Sequence, residues 1–313
     1  MKVALPAHMR RHLEGRLPTV MAAVWYKSSE AAAEVVADAE VAWLDFVDRA
    51  QLRRVVESAG GLKWVTTVIA GIGGYPLDIF QARGIAFTNG AGVNTNPVSE
   101  YAVMGVLALA KNMPAILDIQ ASKVWPHNAP GRVELLGSKA LVIGYGAIGQ
   151  AIAKGLRGLG VDVVGVRRSR SDDPDVIGVD DWRARLPEFD WVVLAAPATH
   201  DTRKLIGRDE LRRMKPTAYL VNIARGTLVD QPALLEAVNQ KRLAGAFLDV
   251  TDPEPAPPDD PVWATPGVIM TCHMSGRAQS HMTQRAAAAF LENLDRYRTG
   301  RPLNNLVDLA AGY

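Results

Sequence analysis

The sequence predicts a doubly wound α/β protein of two lobes with a cleft between them, and three observations lead there. Short, continuously apolar runs such as WVVLAA at residues 191–196 recur along the chain, as strands buried on both faces of a parallel sheet require. Helical patterns stand between those runs, which is the alternation of a doubly wound sheet. The stretch LVIGYGAIGQ at 141–150 then carries a strand into Gly144, Gly146 and Gly149 and on into a helical run.

Taken in order, residues 3–6, 41–46, 62–70 and 85–88 read as strands of a first α/β unit, with a helix at 50–58 whose apolar positions are Leu52, Val55 and Val56. Residues 97–120 read as one long helical pattern with Pro97 near its start, Glu100 in its first turn and an apolar face through Tyr101, Val103, Val106 and Leu107. Pro114 interrupts it, and it is the candidate crossover between lobes. Strands of the second unit are expected at 140–143, 163–166, 191–195, 218–222, 245–250 and 268–271, with helix signals at 209–214 and 231–238. A last helix at 280–298 precedes a short tail containing Pro302.

Composition narrows the class. The chain has 313 residues, 48% hydrophobic and 22% charged, so two domains with real cores are expected. A net charge of +2 indicates no polyanion-binding surface, and nucleic acid is not an expected partner. One cysteine, Cys272, excludes an internal disulfide and fits a reducing compartment. The opening MKVALPAHMRRHLEGRLP lacks the order of a secretory signal, and no stretch reaches the roughly 18 unbroken apolar residues of a membrane span. A cytoplasmic protein with no membrane partner is expected.

The glycines point to a dinucleotide pyrophosphate. Gly144 lets the chain turn sharply, Gly146 removes a side chain that would block the phosphates, and Gly149 lets the helix pack close on the strand. The helix N-terminus then presents free N–H groups and a positive dipole end. An NAD site of this kind carries Asp or Glu about 20 residues on, to hold the ribose 2′-hydroxyl. Here that place reads Val166, Arg167, Arg168, Ser169, Arg170. Guanidinium groups and a hydroxyl suit a 2′-phosphate, so NADPH is preferred over NADH, with NAD(H) still possible. The competing reading makes these arginines a solvated cluster and lets Asp172 or Asp173 reach the ribose.

Arg225 in VNIARGTLVD, Asp249 and Glu254 in FLDVTDPEPAP, and His273 in MTCHMSG each follow or end an expected strand. The carboxyl edge of a doubly wound sheet is where ligands bind. Reducing a 2-oxo acid needs a cation for the substrate carboxylate, a proton donor near neutral pH, and a group that keeps the donor charged. Arg225, His273 and Glu254 are the residue types for those roles, since a carboxylate favours the charged form of an imidazole. Singly, Arg225 reads as a surface ion pair, Glu254 as a solvated turn residue and His273 as a core histidine; their shared order behind a dinucleotide loop favours catalysis.

With these residues stated, the chain resembles the D-isomer-specific 2-hydroxyacid dehydrogenase family over nearly its whole length. The marks are GYGAIG, AAPATHDTRKLI, MKPTAYLVNIARGTLVD, LAGAFLDVTDPEP and the segment His273 to Gly276. The resemblance implies two Rossmann-like or flavodoxin-like lobes, with 1–107 plus 283–313 as substrate domain and 108–282 as dinucleotide-binding domain. It implies that Arg225 binds substrate, that Glu254 pairs with His273, that His273 exchanges the proton and that Asp249 lies on the nicotinamide side. Backbone N–H groups at Ala70 and Gly71 in VIAGIGG are implied to hold the substrate carboxylate. The implied cofactor set is Gly144, Tyr145, Gly146, Ala147, Ile148, Gly149, Arg167, Arg168, Ser169, Pro197, Thr202, Ile223, Arg225, Asp249, His273, Ser275 and Gly276. No metal is implied, and a homodimer through the nucleotide domain is.

The basic pair and the ending NLVDLAAGY further resemble the NADPH-preferring glyoxylate/hydroxypyruvate reductase branch. Two departures stand out: Cys272 where many members have Pro before the catalytic His, and Gly73 where many have Asp. Cys272 reads as a small packed residue rather than a nucleophile. A dinucleotide-sensing, corepressor-like regulator on the same scaffold is the alternative function; a methyltransferase would leave Arg225, Glu254 and His273 unused. The sequence does not name the 2-oxo acid, and Trp43, Tyr75 and Trp125 are candidates either for lining a pocket or for packing in cores.

Overall fold

The computed structural model describes every residue except Phe46, Arg170 and 311–313. The expected strand end at Phe46, the last arginine of the basic cluster and the final residues of the tail therefore lie outside the described residues. The chain divides into two compact units, Met1–Asn94 with Gln279–Tyr313, and Thr95–Ala278.

In the first unit β1 (Lys2–Pro6), β2 (Ala22–Tyr26), β3 (Val41–Trp43), β4 (Trp64–Thr66) and β5 (Ala86–Thr88) form a parallel sheet in the order β2-β1-β3-β4-β5. That is a flavodoxin-like order. The sequence reading missed β2, an edge strand paired on one side and partly exposed, so it lacks the continuous burial that marked the others. The expected strand at 62–70 stops at Thr66 because the Asp45 carboxylate takes the Val68 N–H at 2.9 Å and turns the chain out of the ladder. Trp43 and Tyr75 are buried in this unit's core clusters.

The second unit holds β6 (Lys139–Ile143), β7 (Asp162–Val166), β8 (Val176–Ile177), β9 (Trp191–Leu194), β10 (Tyr219–Asn222), β11 (Gly245–Leu248) and β12 (Val268–Met270). They pair in parallel as β12-β11-β10-β9-β6-β7-β8, so the order reverses between β6 and β9. A dinucleotide binds outside the carboxyl ends of such strands at that reversal. Alternation along β6 explains its apolar run: Leu141 and Ile143 enter one core cluster and Ala140 and Val142 the other. The two-residue β8 carried no readable period.

The long helical pattern is two helices, Thr95–Ala110 and Met113–Ser122, bent by 64°. The break falls at Lys111–Asn112, where Asn112 is left-handed with φ 49°, and Pro114 sits in the first turn of the second helix, where a proline costs nothing. The unit boundaries fall at 94/95 and 278/279, against the expected 107/108 and 282/283. The whole Thr95–Ala110 helix joins the second unit because Ala102, Val106 and Leu109 share a core with Ile152, Ala153 and Leu156 of the Ala147–Arg157 helix. No single helix among the described residues is long and apolar enough to cross a membrane; that bent pair meets the length and apolarity test only when its two halves are joined.

Candidate active site

At the end of β6, Gly144 has φ +99°, and a Cβ there would lie 2.3 Å from the Ala196 backbone nitrogen beyond β9. Only glycine combines that dihedral with that approach. A Cβ on Gly149 would lie 2.1 Å from the Gly144 carbonyl, so the helix start and strand end are as close as the pattern requires. A Cβ on Gly146 would meet nothing within 4 Å, and Gly146 and Ala147 are exposed: this face is open. Gly146 caps the Ala147–Arg157 helix with no side chain in the way, leaving first-turn N–H groups and the dipole, roughly half a unit charge, directed outward. The loop fits a pyrophosphate.

Tyr145 is put to another use than the one expected. Its ring is buried against Gly165, where a Cβ would come within 2.3 Å of Tyr145 Cδ2, its hydroxyl accepts from Arg157 Nη1 at 3.1 Å, and its N–H donates to Val166 O. It fixes the loop from the core side. Ile148 packs partly into the same core and Ile223 is buried beyond β10. Thr202 closes a turn, accepting from Thr199 N at 2.7 Å and donating to the Pro197 carbonyl at 2.8 Å.

Beyond β7 the chain presents Arg167, Arg168 and Ser169, with Arg167 Nε donating to Ser169 Oγ at 2.9 Å. Asp173 Oδ1 accepts from Asp175 N at 2.9 Å, and Asp175 pairs with Arg157 at 3.1 Å. Those two carboxylates are engaged in shaping their own loop.

Glu254 and His273 are in contact through Oε1 and Nδ1, both about two-fifths exposed. Two buried residues hold their loops. Gln231 accepts from the Asp252 N–H at 3.2 Å and donates to the Asp260 carboxylate, steadying the Glu254 loop. Asp249, 1% exposed, accepts from Thr271 Oγ1 at 2.6 Å and from Met274 N at 2.9 Å and lies 3.3 Å from Ser275 N, while its carbonyl accepts from His273 N at 2.5 Å. Asp249 thus serves the His273 loop; Ser275 is likewise buried, and Gly276 follows on the same turn. Cys272 and His273 have φ 50° and 54°, each costing roughly 1–2 kcal/mol for a non-glycine residue. Cys272 is exposed and free, not the packed residue expected.

Arg225 follows β10. It is exposed, its guanidinium donates to the Ala224 carbonyl at 2.6 Å, and its carbonyl accepts from Asn222 Nδ2 at 2.9 Å. It makes no hydrogen bond or ion pair with His273 or Glu254 among the described residues. The next residue, Gly226, has no room for a Cβ, which would lie 1.9 Å from the Thr251 carbonyl, so the Arg225 and Glu254 loops press together there.

In the first unit, Ala70 and Gly71 lie on a turn whose carbonyl at Ala70 accepts from Asn89 Nδ2 at 3.0 Å. Their own N–H groups donate to nothing among the described residues. Gly73 is exposed with open space around it, so the aspartate common there in the family would fit. Trp125 is 97% exposed. Among the described residues no cluster of metal-ligating side chains occurs. Sequence reading missed Gln231, which opens the Gln231–Asn239 helix, and Asn89, which follows β5; position is the only signal either carries.

The profile described as "D-isomer specific 2-hydroxyacid dehydrogenase, NAD binding domain" matches residues 103–275. A glyoxylate reductase of Korarchaeum cryptofilum is 34% identical over 262 residues, covering 81% of this chain and 78% of that protein. A D-3-phosphoglycerate dehydrogenase of Methanocaldococcus jannaschii is 30% identical over 82% of this chain, which spans about half (49%) of that longer protein. A crystal structure of a D-isomer specific 2-hydroxyacid dehydrogenase family protein from Aeromonas salmonicida superposes with a TM-score of 0.84 at 26% identity, covering 98% of this chain and 99% of that one. The chain belongs to the D-isomer specific 2-hydroxyacid dehydrogenase family, enzymes that interconvert 2-oxo and 2-hydroxy acids with a nicotinamide dinucleotide.

Proposed function

We propose that this chain reduces a small 2-oxo acid of the glyoxylate or hydroxypyruvate type to the D-2-hydroxy acid, with NADPH as the preferred cofactor. The Glu254–His273 contact carries the reading. It engages Nδ1 and orients the ring, leaving Nε2 to give its proton to the carbonyl oxygen. Arg225 pairs with the substrate carboxylate and polarises the carbonyl. When bound, the reduced nicotinamide supplies the hydride to the carbonyl carbon. Gly144, Gly146, Ala147 and Gly149 hold the pyrophosphate, and the turns at Pro197–Thr202 and Ser275–Gly276 border the cofactor.

NADPH is supported by Arg167, Arg168 and Ser169 beyond β7, and by the engagement of Asp173, one of the two carboxylates that could otherwise reach the ribose. Loss of NADPH absorbance with glyoxylate, hydroxypyruvate or phenylpyruvate, compared with NADH, tests the reading. No turnover of any 2-oxo acid with either cofactor would overturn it.

The acting form is a homodimer built on the second unit. The Thr95–Ala110 helix exposes Glu100, Met104, Leu107 and then Lys111 at helical spacing, and the apolar face continues into Met113 and Leu117. Packed antiparallel on its copy about a two-fold axis, the helix sets Glu100 against the partner's Lys111 at both ends and apolar side chains between them.

A further inference from the structure

The left-handed pair Cys272–His273 has charge on both sides. Its N–H side meets Asp249: the His273 N–H goes to the Asp249 carbonyl, and the Met274 and Ser275 N–H groups face the Asp249 carboxylate. Its carbonyl side meets Arg277, whose Nη2 donates to Cys272 O at 2.8 Å and whose Nε donates to His273 O at 3.0 Å. The peptide dipoles of the turn therefore run between an anion and a cation. Arg277 pairs with no carboxylate among the described residues, and its own N–H donates to Met274 O at 2.9 Å, so the guanidinium folds back over the turn it follows. Nothing assigned so far employs it.

Position 272 explains why such a clamp is needed. A proline would fix φ near −65°, whereas Cys272 sits at 50°. The turn that presents His273 here is one a proline cannot form, and no ring restrains it. Two adjacent non-glycine residues in the left-handed region persist only where surrounding groups enforce them.

We propose that Arg277 is a positioning residue for His273: by bridging the carbonyls of Cys272 and His273 it holds the left-handed turn that sets the imidazole against Glu254. This rests on the reductase reading of His273. A guanidinium fork suits two neighbouring carbonyls, and an ammonium reaches one.

The test compares the full chain with its Arg277→Ala and Arg277→Lys variants. Cys272 is the only cysteine, so its alkylation by iodoacetamide reports on this turn alone. In Arg277→Ala alkylation accelerates several-fold as the turn opens locally, and kcat with NADPH and the best 2-oxo acid falls by roughly 10- to 100-fold, the scale of a small misplacement. KM for NADPH stays within about twofold, and Arg277→Lys recovers part of both losses. Unchanged alkylation overturns the proposal, as does faster alkylation with unchanged kcat. If the parent turns over no 2-oxo acid, the reductase reading fails instead. Alkylation rates and His273 ring proton shifts that match between parent and Arg277→Ala would then overturn the positioning role on their own.

Discussion

Glu254 Oε1 meets His273 Nδ1 across two loops that follow neighbouring strands, β11 and β12, so the register of two parallel strands sets the geometry of the acid–base pair. With Nδ1 engaged, Nε2 is the nitrogen that reaches substrate. In Glu254→Gln the side-chain oxygen still accepts from Nδ1–H, but the negative charge beside the ring is gone. The expected result is a fall in kcat of roughly 10²-fold, within the range of a lost general acid, with the dissociation constant of NADPH changed less than about twofold. Steady-state rates beside a fluorescence titration check this; full kcat in the variant would count against the pairing.

Arg167 and Arg168 follow the last residue of β7, where an NAD-selective site of this topology places a carboxylate. Replacing both by Ala removes two cations from the neighbourhood of a 2′-phosphate and nothing from a 2′-hydroxyl. KM for NADPH is expected to rise by about tenfold or more, since each charge-assisted bond is worth about 1.5–3 kcal/mol before screening, while KM for NADH stays nearly constant. Equal effects on both cofactors would remove the assignment.

Met104 and Leu107 are 42% and 36% exposed at the middle of the proposed two-fold contact. Met104→Glu with Leu107→Glu places like charges against each other where apolar surface would be buried, and sedimentation is expected to give a monomer. Glu100→Lys alone sets like charges together and weakens the dimer; adding Lys111→Glu restores it. A monomeric parent, or a double swap no better than the single, would refute this interface.

Much of this was legible in the sequence because it depends on local rules. The glycine loop needs particular φ angles and close approaches at Gly144 and Gly149, which only glycine meets, and the buried strands need unbroken apolar runs. Arg225, Glu254 and His273 were visible through their places behind strands. What escaped depends on partners distant in sequence. The bonds that the Asp249 carboxylate makes to N–H groups 25 and 26 residues away carry no local signal. Tyr145 sits inside the fingerprint itself but packs on Gly165, a contact set by how β7 lies beside β6. For the helix break the sequence points to Pro114, the strongest local breaker, whereas the chain breaks at Asn112 and Pro114 takes a first-turn position compatible with a helix.

Tyr297, on the Met282–Arg298 helix, stacks on Trp64 with ring centroids 5.5 Å apart and donates its hydroxyl to Glu40 Oε1 at 2.9 Å. Burial, then the bond to a carboxylate, push its pKa well above the ordinary value near 10. The folded unit therefore keeps a proton that the unfolded chain releases, and the linked stability is complete below about pH 10 and is lost as pH rises beyond it. Tyr297→Phe keeps the stack and removes the titration. At neutral pH it is expected to cost about 1 kcal/mol for the hydrogen bond. Above pH 10, the melting temperature of the parent should fall toward that of the variant, narrowing the gap between them. Parallel melting curves across that range in calorimetry would show that this hydroxyl is not what the first unit loses in alkali.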